Sequence, residues 1–282
     1  MSQPNTRATP SVQGPMLAVF LVFLILASSW LFTQRRWWMP DLASVHGADI
    51  DRVFQVTLAI SGVLFIILQG ILAYLAFRYG AKRGERARYW IRPRLEKRFA
   101  LIAGIIIFGV DVTIYALGES GWFRAWGPPP PGTPLIEVMG EQFAWNFRYA
   151  GPDGVFGKTD PKYISSTNPF GLDTTDPASK DDIISINQLH LPQGKPIRVR
   201  IRSHDVIHSF YLPYQRIKQD AVPGMQIELW FVPRKPGQFE IACSQLCGLG
   251  HYRMRAFLTV EPQETYDAWL NEQLSEKQKE GN

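Results

Sequence analysis

The chain has only two cysteines among its 282 residues. Two thiols are too few for a disulfide-stabilised scaffold, and they leave no spare pair for covalent haem attachment through a C-x-x-C-H sequence. Charged residues make up 20% and apolar residues 46% of the chain, so it is neither a disordered tail nor a fibrous repeat. The mean hydropathy of −0.09 is high for a soluble protein and low for a polytopic one. These values favour a chain that is partly embedded in a membrane and partly water-soluble.

Three long apolar runs occupy the first 120 residues, at 16–32, 53–77 and 99–117. A helix needs about 20 apolar residues to cross the hydrocarbon core of a bilayer. Three such runs in succession are too long for a soluble core, so we predict transmembrane helices near 16–33, 53–77 and 99–118. The first run is the shortest and could instead be a secretion signal, because it contains the small residues Ala27-Ser28-Ser29.

The basic residues between the second and third runs predict the orientation in the membrane. The loop at 78–98 contains nine Lys or Arg side chains and only two Glu, so the positive-inside rule places it in the cytoplasm. Everything after the third helix then lies on the outer, periplasmic side of a bacterial-type inner membrane. Basic residues outnumber acidic ones before Glu119 but not after it. The net charge of +5 is therefore an orientation signal and excludes nucleic-acid binding by the exported part.

The exported part has the pattern of an all-β domain. Four consecutive prolines at 128–131 predict a stiff linker over 119–134. Strand-like runs follow at 135–139, 143–149, 183–189, 196–202, 226–232, 238–242 and 256–260, whereas 153–182 is polar and predicts a long loop. Short strands separated by turn signals indicate a β-sandwich over 135–262. The charged, helix-prone residues 263–282 are predicted to form a solvated tail.

Both cysteines lie in one motif, which reads Cys243-Ser-Gln-Leu-Cys247-Gly-Leu-Gly-His251-Tyr-Arg-Met254. The motif offers two thiolates, an imidazole and a thioether. Soft sulfur together with imidazole favours copper, and a weak thioether ligand is typical of electron-transfer copper sites. The motif lies between two predicted strands, where loops on a rigid sandwich usually hold functional residues.

At least one further imidazole must come from elsewhere in the chain. Four histidines remain, at His46, His190, His204 and His208. Of these, His190 and His204 are more typical of surface or supporting residues. Three other interpretations of the motif stay open: a disulfide between the cysteines, a single-copper site that uses one cysteine, and a zinc site, although an axial methionine is not a zinc signature.

Three motifs in this order resemble the pattern of subunit II of the haem–copper oxidases, the cytochrome c oxidase kind. They are Asp205-Val-Ile-His208-Ser209-Phe210, Lys218-Gln-Asp220-Ala-Val-Pro223-Gly224, and the cysteine motif. The resemblance runs from the second predicted helix to about Pro262. It implies a cupredoxin-like Greek-key sandwich outside the membrane, carrying a dinuclear copper centre called CuA. By position, the resemblance implies these copper ligands: His208, Cys243, the backbone carbonyl of Gln245, Cys247, His251 and Met254, with both cysteines bridging two ions.

The same resemblance implies the electron-entry subunit of a respiratory oxygen reductase. CuA would take electrons from cytochrome c or a neighbouring respiratory complex and pass them to haem in subunit I, where oxygen is reduced and protons are pumped. The oxygen-reducing site would lie in that subunit, so no catalytic residue is expected in this chain. Two alternatives stay open: the CuA subunit of a nitric oxide reductase, and a membrane-anchored copper-binding protein without a partner.

Several positions depart from the family pattern. Gln245 replaces a glutamate that in the family also reaches a magnesium ion, which speaks against that second metal site. Phe143 replaces the first tryptophan of the aromatic strand, so Phe143 and Trp145 are the candidates for electron entry. Arg148 adds a basic residue to this strand and weakens the expected acidic dock for cytochrome c. Glu96 resembles the family's glutamate at the mouth of a proton channel.

Overall fold

The computed structural model describes residues 12–36, 38–80 and 91–280. Residues 81–90, the middle of the predicted cytoplasmic loop at 78–98, lie outside the described residues. The chain divides into two compact units. One contains the residues up to Trp38 together with Arg52–Leu117, and the other contains Met39–Asp51 together with the residues from Gly118 onward.

Three helices, α1 (Gln13–Thr33), α2 (Gly47–Tyr79) and α3 (Pro93–Trp126), are long and apolar enough to cross a membrane. Each extends beyond its apolar run, because polar residues at the ends continue the helix. Helix α3 ends at Trp126 rather than near 118, so the first part of the predicted linker at 119–134 is helical. The helix stops where Gly127 and Pro128 follow, since proline restricts the residue before it and cannot donate a backbone hydrogen bond.

Small residues bring α1 and α2 close together in the membrane unit. Ala18, Leu21 and Ala73 are buried in this contact, and Gly14 lies so near the backbone of Ala76 and Gly80 that it has no space for a side chain. Small residues allow helix backbones to approach in a membrane, where packing replaces the hydrophobic effect.

The outer unit is a sandwich of two five-stranded sheets, which confirms the predicted fold. Its strands are β1 (Leu135–Glu141), β2 (Ala144–Tyr149), β3 (Ile183–Ile186), β4 (Gln188–Pro192), β5 (Ile197–Ser203), β6 (His208–Leu212), β7 (Ile217–Ala221), β8 (Ile227–Phe231), β9 (Gly237–Cys243) and β10 (Arg255–Glu261). The sheet orders are β3-β2-β1-β5-β8 and β4-β10-β9-β6-β7. Strand β1 pairs with β5 and β4 with β10 in parallel, and the other neighbours are antiparallel.

Strand β2 departs from the predicted half-buried alternation, because both of its faces are covered. Arg148 is 2% exposed, and Asn146 is fully buried. The long loop after β2 covers Arg148: its guanidinium binds the carbonyl of Gly157 and forms ion pairs with Asp182 at 2.6 Å and Glu137 at 3.0 Å. The expectation that Arg148 adds positive charge to the surface is therefore wrong.

The C-terminal residues form helix α4 (Gln263–Glu280), which packs on the sandwich. Tyr266, Trp269, Leu270 and Leu274 contact the core. The Trp269 ring stacks on His190 at a centroid distance of 4.1 Å. The segment predicted as a helix-prone, solvated tail is thus a helix that covers one face, because these four side chains recur at helical spacing and form one apolar stripe.

The segment before α2 is attached to the sandwich by ionic and backbone contacts. Arg216 donates from Nε to the Asp51 carboxylate at 2.8 Å and from Nη2 to the Pro40 carbonyl at 2.6 Å. The backbone N–H of Ala43 donates to the Tyr214 carbonyl at 2.7 Å. These contacts make the start of α2 part of the same compact unit as the sandwich.

Candidate metal centre

The two cysteines meet at one end of the sandwich. Cys243 is the last residue of β9, and Cys247 lies on the loop that follows. Both are buried free thiols whose sulfurs are 3.8 Å apart. A disulfide bond measures about 2.05 Å, so the disulfide interpretation does not hold. Metal–thiolate distances are about 2.3 Å, and at this spacing both sulfurs can bind the same ion.

One histidine lies beside each cysteine. His208 is the first residue of β6 and is fully buried. The pairing of β6 with β9 brings its Nδ1 to 3.9 Å from the Cys243 sulfur. His251 opens a short 3-10 turn after the cysteines, and its Nδ1 lies 3.7 Å from the Cys247 sulfur. The donor atoms of His208, Cys243 and Cys247 all lie within 4.8 Å of one another.

Two weaker donors complete the cluster. The Met254 sulfur lies 3.7 Å from the Cys247 sulfur, and the carbonyl oxygen of Gln245 lies 3.2 Å from the Cys243 sulfur. The structure thus brings together all six residues that the resemblance of the three motifs implies as ligands. The remaining histidines have other contacts: His190 binds Glu261 at 2.8 Å, His204 lies 3.6 Å from Glu141, and His46 packs on Trp230.

The electrostatics of the two thiols suit a cation. Burial opposes ionisation of Cys243, but hydrogen bonding to His208 and to nearby backbone groups lowers the pKa of its thiol to about 6. Burial, together with the negative charge of Cys243, raises the pKa of Cys247 to about 11. Two adjacent thiolates repel each other unless positive charge lies between them. A set of sulfur and imidazole donors fits a soft metal ion such as copper.

Asp205 connects the candidate ligand His208 to the turn between β1 and β2. One of its carboxylate oxygens accepts a hydrogen bond from Nε2 of His208 at 2.7 Å, and the other accepts one from the backbone N–H of Gln142 at 2.8 Å. The side-chain amide of Gln142 in turn donates to the carbonyl of Cys247. No role for Asp205 is apparent from the sequence alone. Its spacing of three residues from His208 was the available signal.

The two candidates for electron entry occupy different environments. Phe143 is half-buried in the turn between β1 and β2. Its ring lies against the loop at 244–254, which carries candidate ligands and which we call the ligand loop, and a Cβ on Gly250 would overlap this ring. Trp145 is fully buried, and its ring meets that of His208 edge-on with centroids 6.0 Å apart. Phe143 therefore joins the ligand loop to the surface, whereas Trp145 is an internal contact.

Glu96 lies in the first turn of α3, in the membrane unit. It is exposed, and its carboxylate accepts a hydrogen bond from the backbone N–H of Arg92 at 3.2 Å. This is the contact of a side chain that caps a helix start.

Taken together, these features define a class: a membrane-anchored β-sandwich protein with a buried site for a soft metal. The chain matches the family model of the periplasmic domain of cytochrome c oxidase subunit II over residues 135–260. The alternative cytochrome c oxidase subunit 2 of Bradyrhizobium diazoefficiens is 38% identical over 263 residues, covering 91% of this chain and 92% of the relative. The cytochrome c oxidase subunit 2 of Synechocystis is 26% identical over 290 residues, covering 92% and 82%.

Among solved structures, the periplasmic domain of subunit II of cytochrome oxidase from Bradyrhizobium japonicum is 28% identical and covers 52% of this chain and 97% of that domain, with a TM-score of 0.39. The sequence relatives decide the assignment: this chain belongs to the cytochrome c oxidase subunit II family. It is therefore a subunit of a haem–copper terminal oxidase, an oxidoreductase complex. The resemblance drawn from the three motifs is confirmed.

Proposed function

We propose that this chain is the electron-entry subunit of a respiratory oxygen reductase and that it holds a dinuclear CuA centre. The proposed ligands are the six residues that converge on the two sulfurs: His208, Cys243, the carbonyl of Gln245, Cys247, His251 and Met254. The observation that carries the proposal is this convergence, with imidazole, thioether and carbonyl donors 3.2 to 3.9 Å from sulfurs that are themselves 3.8 Å apart.

Copper, when bound here, supplies reversible one-electron transfer without bond making or breaking. The chain's own residues hold the donor atoms in place. Cys243 and Cys247 lie between the two imidazoles, so each thiolate can be shared by two ions. Cys243, Cys247 and Met254 are at most 8% exposed, which excludes water, and the strands of the sandwich fix ligands that come from two separate loops.

We assign electron entry to Phe143, because its ring reaches both the surface and the loop between Cys247 and His251. The electrons come from cytochrome c or a neighbouring respiratory complex and continue to haem in subunit I, where oxygen reduction is coupled to proton pumping. Glu96 is proposed at the mouth of a proton path. The proposed location is a bacterial inner membrane, with an anchor over 1–118, the loop at 78–98 in the cytoplasm and the copper domain over 135–262 on the periplasmic side.

The proposal is tested on the full-length chain in detergent, loaded with copper, by metal analysis and EPR. We expect two copper ions per chain and a hyperfine pattern from two equivalent nuclei. Cys247→Ser is expected to abolish the shared signal, whereas Met139→Leu, which changes a buried methionine outside the site, keeps it. One copper with a single-nucleus pattern would contradict the dinuclear centre. For the assembled oxidase we expect oxygen consumption, and consumption of nitric oxide instead would favour the reductase alternative.

A further inference from the structure

The ligand loop carries three large apolar side chains that are almost fully exposed. The exposed fractions are 77% for Leu246, 97% for Leu249 and 85% for Tyr252. All three lie between Cys243 and Met254, which are buried. Together with Phe143 and Arg253 these residues form a surface that we call the loop face. Exposed apolar side chains clustered on one loop are typical of an interaction site.

The charges at this end of the sandwich are unevenly paired. The carboxylate of Asp205 is occupied by the imidazole of His208 and by two backbone N–H groups. Glu141 accepts a hydrogen bond from the amide of Asn146 at 2.8 Å and lies 3.6 Å from His204, and Arg255 faces Glu240 at 3.9 Å. Arg253, by contrast, is exposed and forms no ion pair with any of the residues the structure describes. The loop face therefore offers a free cation, and the carboxylates nearby already have partners.

Arg253 lies next to the proposed entry residue. Its guanidinium carbon is 6.0 Å from the centroid of the Phe143 ring, and that ring packs on Gly250, between Cys247 and His251. A carboxylate that pairs with Arg253 would hold its owner directly above Phe143. The residue proposed for docking and the residue proposed for electron entry are thus neighbours on the surface. A contact unrelated to electron transfer would not require this proximity.

We propose that the loop face docks the electron donor and that Arg253 selects a donor with carboxylates around its exposed haem edge, an acidic c-type cytochrome. The inference rests on the proposed function, because it names the donor for that same copper site. In each encounter one electron leaves the donor's ferrous haem, which becomes ferric, and the copper pair gains that electron. No bond forms or breaks, and the apolar side chains exclude water from the contact.

The test uses the assembled oxidase in detergent and two probes of similar potential, an acidic and a basic c-type cytochrome. Binding of each oxidised cytochrome is measured by surface plasmon resonance over a salt series, and reduction of the copper site by each reduced cytochrome is measured by stopped flow. At low salt we expect the acidic cytochrome to bind more tightly than the basic one. Its affinity and its rate of electron transfer should both fall as salt increases, because salt screens the attraction between opposite charges.

Variants of Arg253, Arg255 and Leu249 separate the contribution of charge from that of apolar contact. Arg253→Glu is expected to lower the affinity and rate of the acidic cytochrome about tenfold at low salt and to raise those of the basic one, whereas Arg253→Lys keeps most of the effect. Arg255→Gln is the matched control, because Arg255 already faces Glu240, and it should change little. Leu249→Ser should weaken binding without changing the salt dependence.

The two proposals can fail separately. A neutral phenylenediamine mediator with ascorbate reports whether the copper site accepts electrons at all, and no reduction by it would overturn the proposed function. The docking inference alone would be overturned if the mediator reduced the copper site normally and either of two results followed. The first is tighter binding of the basic cytochrome than of the acidic one, and the second is unchanged binding of the acidic cytochrome to Arg253→Glu.

Discussion

Nε2 of His208 donates a hydrogen bond to the Asp205 carboxylate at 2.7 Å, while Nδ1 of the same ring faces the Cys243 sulfur at 3.9 Å. One ring nitrogen is thus occupied by the protein, and the other faces the sulfur of the proposed copper site. A carboxylate in this position fixes both the ring orientation and the tautomer of a metal-binding histidine.

Asp205→Asn is expected to lower copper affinity about 10- to 100-fold, because the ring of His208 loses a charged partner that orients it and increases its basicity. Competition with a chelator of known affinity, on the full-length chain, measures the change. Asp220→Asn is the control, since that carboxylate pairs with Lys218 at 3.1 Å. Equal affinities for the two variants would contradict the role of Asp205.

Gly250→Ala is expected to disturb the copper site, because the new methyl group would overlap the ring of Phe143. Overpacking of this kind costs about 1–3 kcal/mol in the free energy of unfolding. Thermal unfolding followed through the copper absorption measures the loss. The double variant Gly250→Ala/Phe143→Ala should recover part of it, because the overlapping ring is gone. If the double variant recovered no stability, overlap with the Phe143 ring would not be the cause of the loss.

Met254→Leu is expected to keep both copper ions and to shift the reduction potential, because a thioether acts as a weak ligand that adjusts potential more than affinity. Spectroscopic redox titration of the copper-loaded chain measures the potential. Met139→Leu replaces another buried methionine, and its potential should equal that of the unchanged protein. Identical potentials for both variants would remove Met254 from the ligand set.

Arg148→Met is expected to lower the free energy of unfolding by about 3–5 kcal/mol, because it leaves the buried carboxylate of Asp182 without its ion-pair partner and removes one of the two arginines that pair with Glu137. Chemical unfolding of the full-length chain measures the loss. Arg200→Met is the control. Its side chain is 28% exposed, its closer partner Glu228 is 37% exposed, and Glu137 keeps Arg148 when Arg200 is replaced, so loss of its ion pairs should cost about 1 kcal/mol or less.

The Arg148→Met deficit should also depend on pH. Burial already raises the pKa of Asp182 above its usual 3.8, and the hydrogen bond and charge of Arg148 act in the opposite direction. Without Arg148 the pKa rises further, so the folded state binds more protons than the unfolded state. The stability of the variant should therefore increase relative to the unchanged protein as pH falls from neutral towards 3.8. A deficit that is constant over this range would contradict the assignment of the loss to Asp182.

Strands β6 and β7 were not predicted from the sequence, for two different reasons. Strand β7 (Ile217–Ala221) lies at the edge of its sheet and contains Lys218, Gln219 and Asp220, so it lacks the apolar alternation that predicts a strand. Strand β6 is five residues long and begins with His208, a proposed metal ligand. The same reasoning predicted β5 well, because its isoleucines and valine alternate with arginines.

The membrane spans and the donor types of the metal site follow from the sequence by itself. The hydrophobicity of a membrane span is the sum over one local run of residues. The donors Cys243, Cys247, His251 and Met254 lie within twelve consecutive residues. The spans and these donors can therefore be recognised without any contact between distant parts of the chain. The motif resemblance implied His208 as a partner of the cysteines, but only the tertiary structure decided its position beside Cys243, the burial of Arg148 and the contact of Phe143 with Gly250. Each of these depends on strand pairing and loop packing between residues far apart in the chain, and such contacts leave no local pattern.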